Sequence, residues 1–184
     1  MPFTHRKTGV ILLLGLIALR GVNAEELTGD VRLACEAILC LSSSMRPGEC
    51  VPSLTRYFSI KEKRWSDTVS ARRSFLNLCP ATGEESNMQT LVEAIANGAG
   101  QCDANNLNSS QSFWVEENRV VINNTLPSWC SDYYGHRYVD FKGSQPVYVG
   151  VPEKGGFWVE PQDYEAGLKI YNERQREAAW RTSD

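Results

Sequence analysis

Histidine is nearly missing from this chain: of 184 residues only His5 and His136 carry an imidazole, and His5 lies in the N-terminal segment. A Ser/His or Cys/His mechanism in the remainder would have to use His136 alone. No Cys-x-x-Cys occurs, which removes the usual spacing of a thioredoxin-like redox pair and of a Cys/His zinc site. Beyond residue 24 there is no apolar run long enough to span a bilayer, and no internal repeat or low-complexity tract. Positive charge is not in excess either, with 19 basic against 22 acidic residues. That balance leaves no electrostatic footprint for nucleic acid.

The one long apolar run is N-terminal. His5, Arg6 and Lys7 precede Val10 to Leu19, and Val22-Asn23-Ala24 follows, the charged, apolar and small-residue parts of a secretory signal. Arg20 interrupts the run before it reaches spanning length. Residues 1–24 are therefore expected to be a signal peptide cut after Ala24, with 25–184 a single periplasmic domain that does not stay inserted in the membrane. The cut removes Arg6, Lys7 and Arg20 and no acid, leaving 16 basic against 22 acidic residues.

All six cysteines, Cys35, Cys40, Cys50, Cys79, Cys102 and Cys130, lie beyond that signal. An even count in an exported chain reads as a disulfide framework whose connectivity spacing alone leaves open. Cys40 and Cys50 flank the Ser42 to Gly48 loop, which favours a local bridge. Cys35 with Cys79 and Cys102 with Cys130 is the assignment preferred for the rest.

Apolar periodicity divides the chain in two. Val31, Ala34, Cys35, Ile38 and Leu41 recur at helical spacing across Asp30 to Leu41, and Pro52 to Ile60 fits a short second helix. Ser66-Asp67-Thr68 offers an N-cap to a third helix with Val69, Arg72, Arg73 and Leu76 on one face, ended by Pro80. Ser86 to Gln89 fits a capping box for a fourth, striped by Met88, Leu91, Val92 and Ile95 and closed at Gly98. Asn105 to Ser110 reads as a polar break. Beyond it, Phe113-Trp114-Val115 with Arg119 to Ile122, Tyr138 to Phe141, and Val147 to Val151 with Phe157-Trp158-Val159 read as extended runs joined by turns. His136 falls in an aromatic loop, Tyr133 to Tyr138. Gln162 to Trp180 reads as a last helix, with Tyr164, Leu168, Tyr171 and Ala178 on one face. The expected class is α+β: a disulfide-stapled helical part at about 28–100, a small antiparallel sheet at about 111–160, and a C-terminal helix at about 162–180.

The block Cys35-Glu36-Ala37-Ile38-Leu39-Cys40-Leu41-Ser42-Ser43, with Glu49 to Leu54 and Arg56-Tyr57-Phe58-Ser59-Ile60, resembles the TrbM/KikA family of conjugal-transfer proteins. Arg73-Ser74-Phe75-Leu76-Asn77-Leu78-Cys79-Pro80 continues the resemblance. It implies a plasmid-encoded periplasmic accessory protein of mating-pair formation, working with a type IV secretion system. The partners it implies are other conjugation or secretion-system proteins; peptidoglycan is a further candidate, and no cofactor or metal is expected.

Two site readings compete. Aromatic residues cluster in the second half, and Trp114, Tyr134, Tyr148 and Trp158 are the candidate partner-binding rings. The enzymatic alternative is a lytic-transglycosylase-like peptidoglycan hydrolase, because Glu85-Ser86 before a helix resembles an acid site in which burial would raise the carboxyl pKa. The glycine-rich continuation of such sites is absent, so no catalytic residue is assigned. If the cysteines are staples, mass spectrometry of the exported protein with and without reduction is expected to find no alkylatable thiol before reduction; a reproducible free thiol would revive a reactive-cysteine role.

Overall fold

The computed structural model describes residues 27–116 and 119–181; the expected signal peptide lies outside the described residues. Among the described residues seven α-helices and four short strands follow one another: α1 (Gly29–Leu41), α2 (Val51–Ser59), α3 (Trp65–Leu76), α4 (Ser86–Gly98), α5 (Ala104–Ser110), β1 (Ser112–Val115), β2 (Arg119–Ile122), α6 (Ser128–Gly135), β3 (Val147–Val149), β4 (Phe157–Val159) and α7 (Tyr164–Arg181). The class is α+β, with the strands forming two separate antiparallel hairpins rather than one sheet.

The early helices form because their apolar stripes bury together. Ala34, Ala37, Ile38 and Leu41 of α1 face Tyr57 of α2, Val69, Phe75 and Leu76 of α3, and Leu91, Val92 and Ile95 of α4 in one continuous core. Three disulfides tie the chain, Cys35–Cys79, Cys40–Cys50 and Cys102–Cys130, the pairing preferred from the sequence. Arg72 is 4% exposed. Its guanidinium lies 4.8, 5.3 and 5.5 Å from the ring centres of Tyr57, Trp65 and Phe58, and it donates to the carbonyls of Ile60 and Ala99. Ring faces and carbonyl dipoles thus solvate this buried cation without a carboxylate.

Neither expected helix cap forms. α3 begins at Trp65 with Arg64 at the cap position, so Ser66, Asp67 and Thr68 sit in its first turn. There Arg64 donates to the Asp67 carboxylate, and the Thr68 hydroxyl accepts the Glu62 N–H at 2.8 Å. In α4, Glu85 takes the cap position and Ser86 is the first helical residue, so the Ser86–Gln89 box is not made.

The late half departs further from expectation. Asn105 to Ser110 belongs to α5, because Asp103 accepts the Asn106 N–H as a side-chain cap and Ala104 and Leu107 are buried. Asn108 works as a surrogate strand: its amide donates to the Trp158 carbonyl at 2.8 Å and accepts the Trp158 N–H at 2.7 Å. Tyr133 to Gly135, expected in a loop, end helix α6. Tyr138 to Phe141 forms no strand; Asp140 makes a single parallel bridge to Ser43, and Phe141 is buried against Tyr133 and Tyr134.

The C-terminal helix packs first and projects afterwards. Gly167 and Tyr171 are buried against Val149 and Val159, and the Tyr171 ring covers Gly150, whose φ of +82° is a glycine conformation. Beyond Gln175, which donates to the Lys154 carbonyl, the helix is exposed and Trp180 is 76% accessible.

α4 and α6 pack closely at Gly98. A Cβ on Gly98 would stand 2.5 Å from the Tyr133 Cβ. Gly98→Ala, which in an open helix would gain about 1 kcal/mol, is expected here to destabilise by about 1–3 kcal/mol in chemical denaturation. Gly135→Ala, with open space around it, is the control expected to be neutral to stabilising; equal stability of the two variants would contradict this packing.

Candidate functional site

Glu85 sits at the start of α4 with its carboxylate in solvent. Asn87 Nδ2 donates to it at 2.6 Å and the Tyr138 hydroxyl reaches both oxygens at 3.0 Å. The Asn87 bond, then the Tyr138 bond, hold its carboxyl below the usual carboxylate range. An acid that protonates a leaving oxygen needs the opposite shift, so the transglycosylase-like reading finds no support at this residue.

His136 follows α6 and is half-buried against α4. Its Nδ1 faces the Tyr138 N–H at 3.2 Å, and its Nε2 lies 3.0 Å from the Thr90 hydroxyl. That hydroxyl donates to the Asn87 carbonyl, so it accepts from Nε2–H and the ring is the neutral Nε2–H tautomer. Burial lowers its pKa, against the raising effect of a hydrogen bond to the Asn87 backbone and with a smaller downward push from Arg137. Both ring nitrogens are committed to local bonds. Among the described residues no group of three or more His, Cys, Asp or Glu could hold a metal ion.

The four candidate rings divide. Trp158 is 5% exposed, its indole N–H donating to the Asn123 carbonyl at 2.9 Å. Tyr148 donates to the Ile122 carbonyl at 2.7 Å and stacks edge-on with Trp158, and Tyr134 donates to the Cys102 carbonyl at 2.7 Å. These three rings join the late elements to one another; the buried Trp158 has no face to offer a partner. Trp114 differs. It is 69% exposed on β1 opposite Val120 of β2, itself 44% exposed, while Val121 next to it turns inward. Alternation on a two-stranded ribbon thus puts an apolar pair on the outer face.

A second surface was not assigned from the sequence. Two open depressions, of about 730 and 710 Å³, lie on either side of the outer face of α4 and share Thr90 and Glu93. The first is bounded by α6 through Ser131, Asp132, Trp129 and Gly135, the second by the Pro80–Gly83 turn with Ser86 and Gln89. Glu93 is ion-paired with Arg73 of α3. Among the described residues nothing partners the side chains of Ser86, Gln89, Ser131 or Asp132, or the Trp129 indole N–H. The sequence signal was the offset between Trp129/Asp132 and Cys130/Tyr133 along one helix, which only a helical reading of 128–135 would have exposed.

Among the described residues no helix is long and apolar enough to cross a membrane, and three disulfides favour an extracytoplasmic location. A family model described as TrbM matches residues 26–172, a span that holds all six cysteines, both hairpins and the docked half of α7. No curated protein and no solved structure matches the chain.

The depressed histidine gives a pH test. A base whose folded pKa lies below its ordinary 6.5 contributes stability that is present above that value and is lost as pH falls through the folded pKa. Stability measured between about pH 7.5 and 5 is expected to fall with acid, and His136→Gln to flatten that dependence. A His136 NMR titration midpoint above 6.5 would contradict the assignment.

Proposed function

The chain belongs to the TrbM family, a family of conjugal transfer, and from that premise we propose that it is a periplasmic accessory protein of plasmid conjugation. It supports assembly or stability of the type IV secretion and mating-pair formation apparatus through contacts with other proteins of that apparatus. Residues 1–24 are removed after Ala24, and 25–184 act as one exported domain without an active site of their own.

The observation that carries this reading is the family match across 26–172, which spans the whole disulfide framework. Two features support it. The cysteines are committed to staples, with no free thiol among the described residues. The outer face of the first hairpin presents Trp114 and Val120 at 69% and 44% exposure, the type of aromatic anchor that interfaces concentrate.

The test is a mating assay with the gene deleted and complemented in trans. Deletion is expected to lower plasmid transfer, and Glu85→Gln to restore it as fully as the wild type. Trp114→Ala, at an exposed position, is expected to restore it only in part while accumulating to the same level. Transfer that is unaffected by deletion, or lost in a well-folded Glu85→Gln variant, contradicts the proposal.

A further inference from the structure

The two depressions adjoin at Thr90 and Glu93, which line both, and make a trough of two parts across the outer face of α4. Each volume falls within the roughly 300–1,000 Å³ of ligand clefts. Ser86 to Asn97 runs about 16 Å along the helix axis, long enough for a short chain of ring-sized units rather than for one.

The donor set of the trough is specific in kind. No lysine or arginine lines it. The Glu93 carboxylate is already answered by Arg73, and His136 is neutral with both nitrogens bonded, so among the described lining residues Asp132 is the one charge left uncompensated. Beside it in the first depression stand the Ser131 hydroxyl and the exposed Trp129 indole, and the second depression adds the Ser86 hydroxyl and the Gln89 amide, none of them bonded among the described residues. Hydroxyl and amide groups both donate and accept, the carboxylate only accepts, and the indole N–H only donates.

This chemistry discriminates between ligands. A phosphate chain would require cations that are absent. A basic peptide would gain from a single free carboxylate, and an apolar segment would strand the polar groups that line the walls. A neutral polyhydroxylated chain fits each part: its hydroxyls meet the mixed donors and acceptors, and the C–H face of a sugar ring packs flat on an indole. A neutral ligand also meets no repulsion from an acidic protein.

We propose that the trough across α4, with Trp129 as its platform, binds a neutral amino-sugar strand, the glycan of the cell wall. The choice of wall glycan rests on the periplasmic address proposed above, while the binding itself is read apart from plasmid transfer. It gives the protein a second attachment, to the wall through which an exported apparatus must pass.

The test uses the full exported protein in a co-sedimentation assay with purified peptidoglycan sacculi and with insoluble chitin, a neutral β-1,4-linked N-acetylglucosamine polymer that carries no stem peptide. Retention is expected on both preparations, competed by the β-1,4-linked tetramer of N-acetylglucosamine. Trp129→Ala is expected to weaken retention at least about tenfold, the scale of an interface tryptophan, while Trp114→Ala leaves it unchanged. Gln89→Arg, on the exposed face of α4, is a second variant expected to weaken retention with an unchanged circular dichroism spectrum. No retention of the wild type, retention on sacculi but not on chitin, or wild-type retention by both trough variants would each overturn the proposal. If the trough variants bind sacculi normally yet fail in plasmid transfer, the trough docks a protein and the glycan inference is wrong.

Discussion

Tyr133 is the residue on which the two halves of this protein turn. It sits on α6, late in the chain, yet its phenol donates to the carbonyl of Leu41 at the end of α1 at 2.6 Å. Its ring is pressed against Gly98 of α4 and packs with Tyr134 and Phe141. Burial pushes its phenol pKa well up, so the hydroxyl remains a donor at every ordinary pH. Cys130, one turn earlier, is bridged to Cys102 just beyond α4, which holds the helix in the position this contact demands. Gly98 follows from the same constraint: a side chain there would exclude the tyrosine.

The remaining bonds distribute the same logic. Cys35–Cys79 and Cys40–Cys50 fix α1 to its neighbours, and Arg72 fills the space among Tyr57, Phe58 and Trp65 where an aliphatic side chain would leave the Ala99 carbonyl without this donor. In the late half, with only seven residue pairs in its two strand ladders, side chains take over from backbone. Asn108 completes the edge of β4, and Tyr148 and Trp158 carry hydrogen bonds to the end of β2. Of the candidate partner rings, Tyr148 and Trp158 are therefore occupied in holding short strands together, and Tyr134 in a bond to the Cys102 carbonyl. The exposed indoles of Trp114 and Trp129 lie outside that task.

What could be read from the sequence follows the reach of the interactions. α1 to α4 were legible because Ala34, Ile38, Leu41, Leu91, Val92 and Ile95 repeat at helical spacing and bury on that face. Both hairpins were legible from β-branched and aromatic runs around turns. α5 and α6 were not, since Asn-rich and aromatic segments have weak helix propensity and are held by tertiary contacts such as Asp103 on Asn106 and Tyr133 on Leu41. The capping box at Ser86 was a local signal that the structure does not make: Glu85 takes the cap position, its carboxylate held by Asn87 and Tyr138. Its absence leaves Ser86 and Gln89 free in the trough, so the feature that misled the helix boundary is part of the candidate site.

The central physical claim is that early helices and late segment form one cooperative body through Tyr133. Chemical denaturation followed in parallel by far-ultraviolet circular dichroism and tryptophan fluorescence tests it in wild type and Tyr133→Phe. The account predicts coincident transitions in both proteins, displaced together by about 1–3 kcal/mol when the hydroxyl is removed and the Leu41 carbonyl loses its donor. Separate transitions for the two probes, or a Tyr133→Phe protein as stable as the wild type, would contradict it.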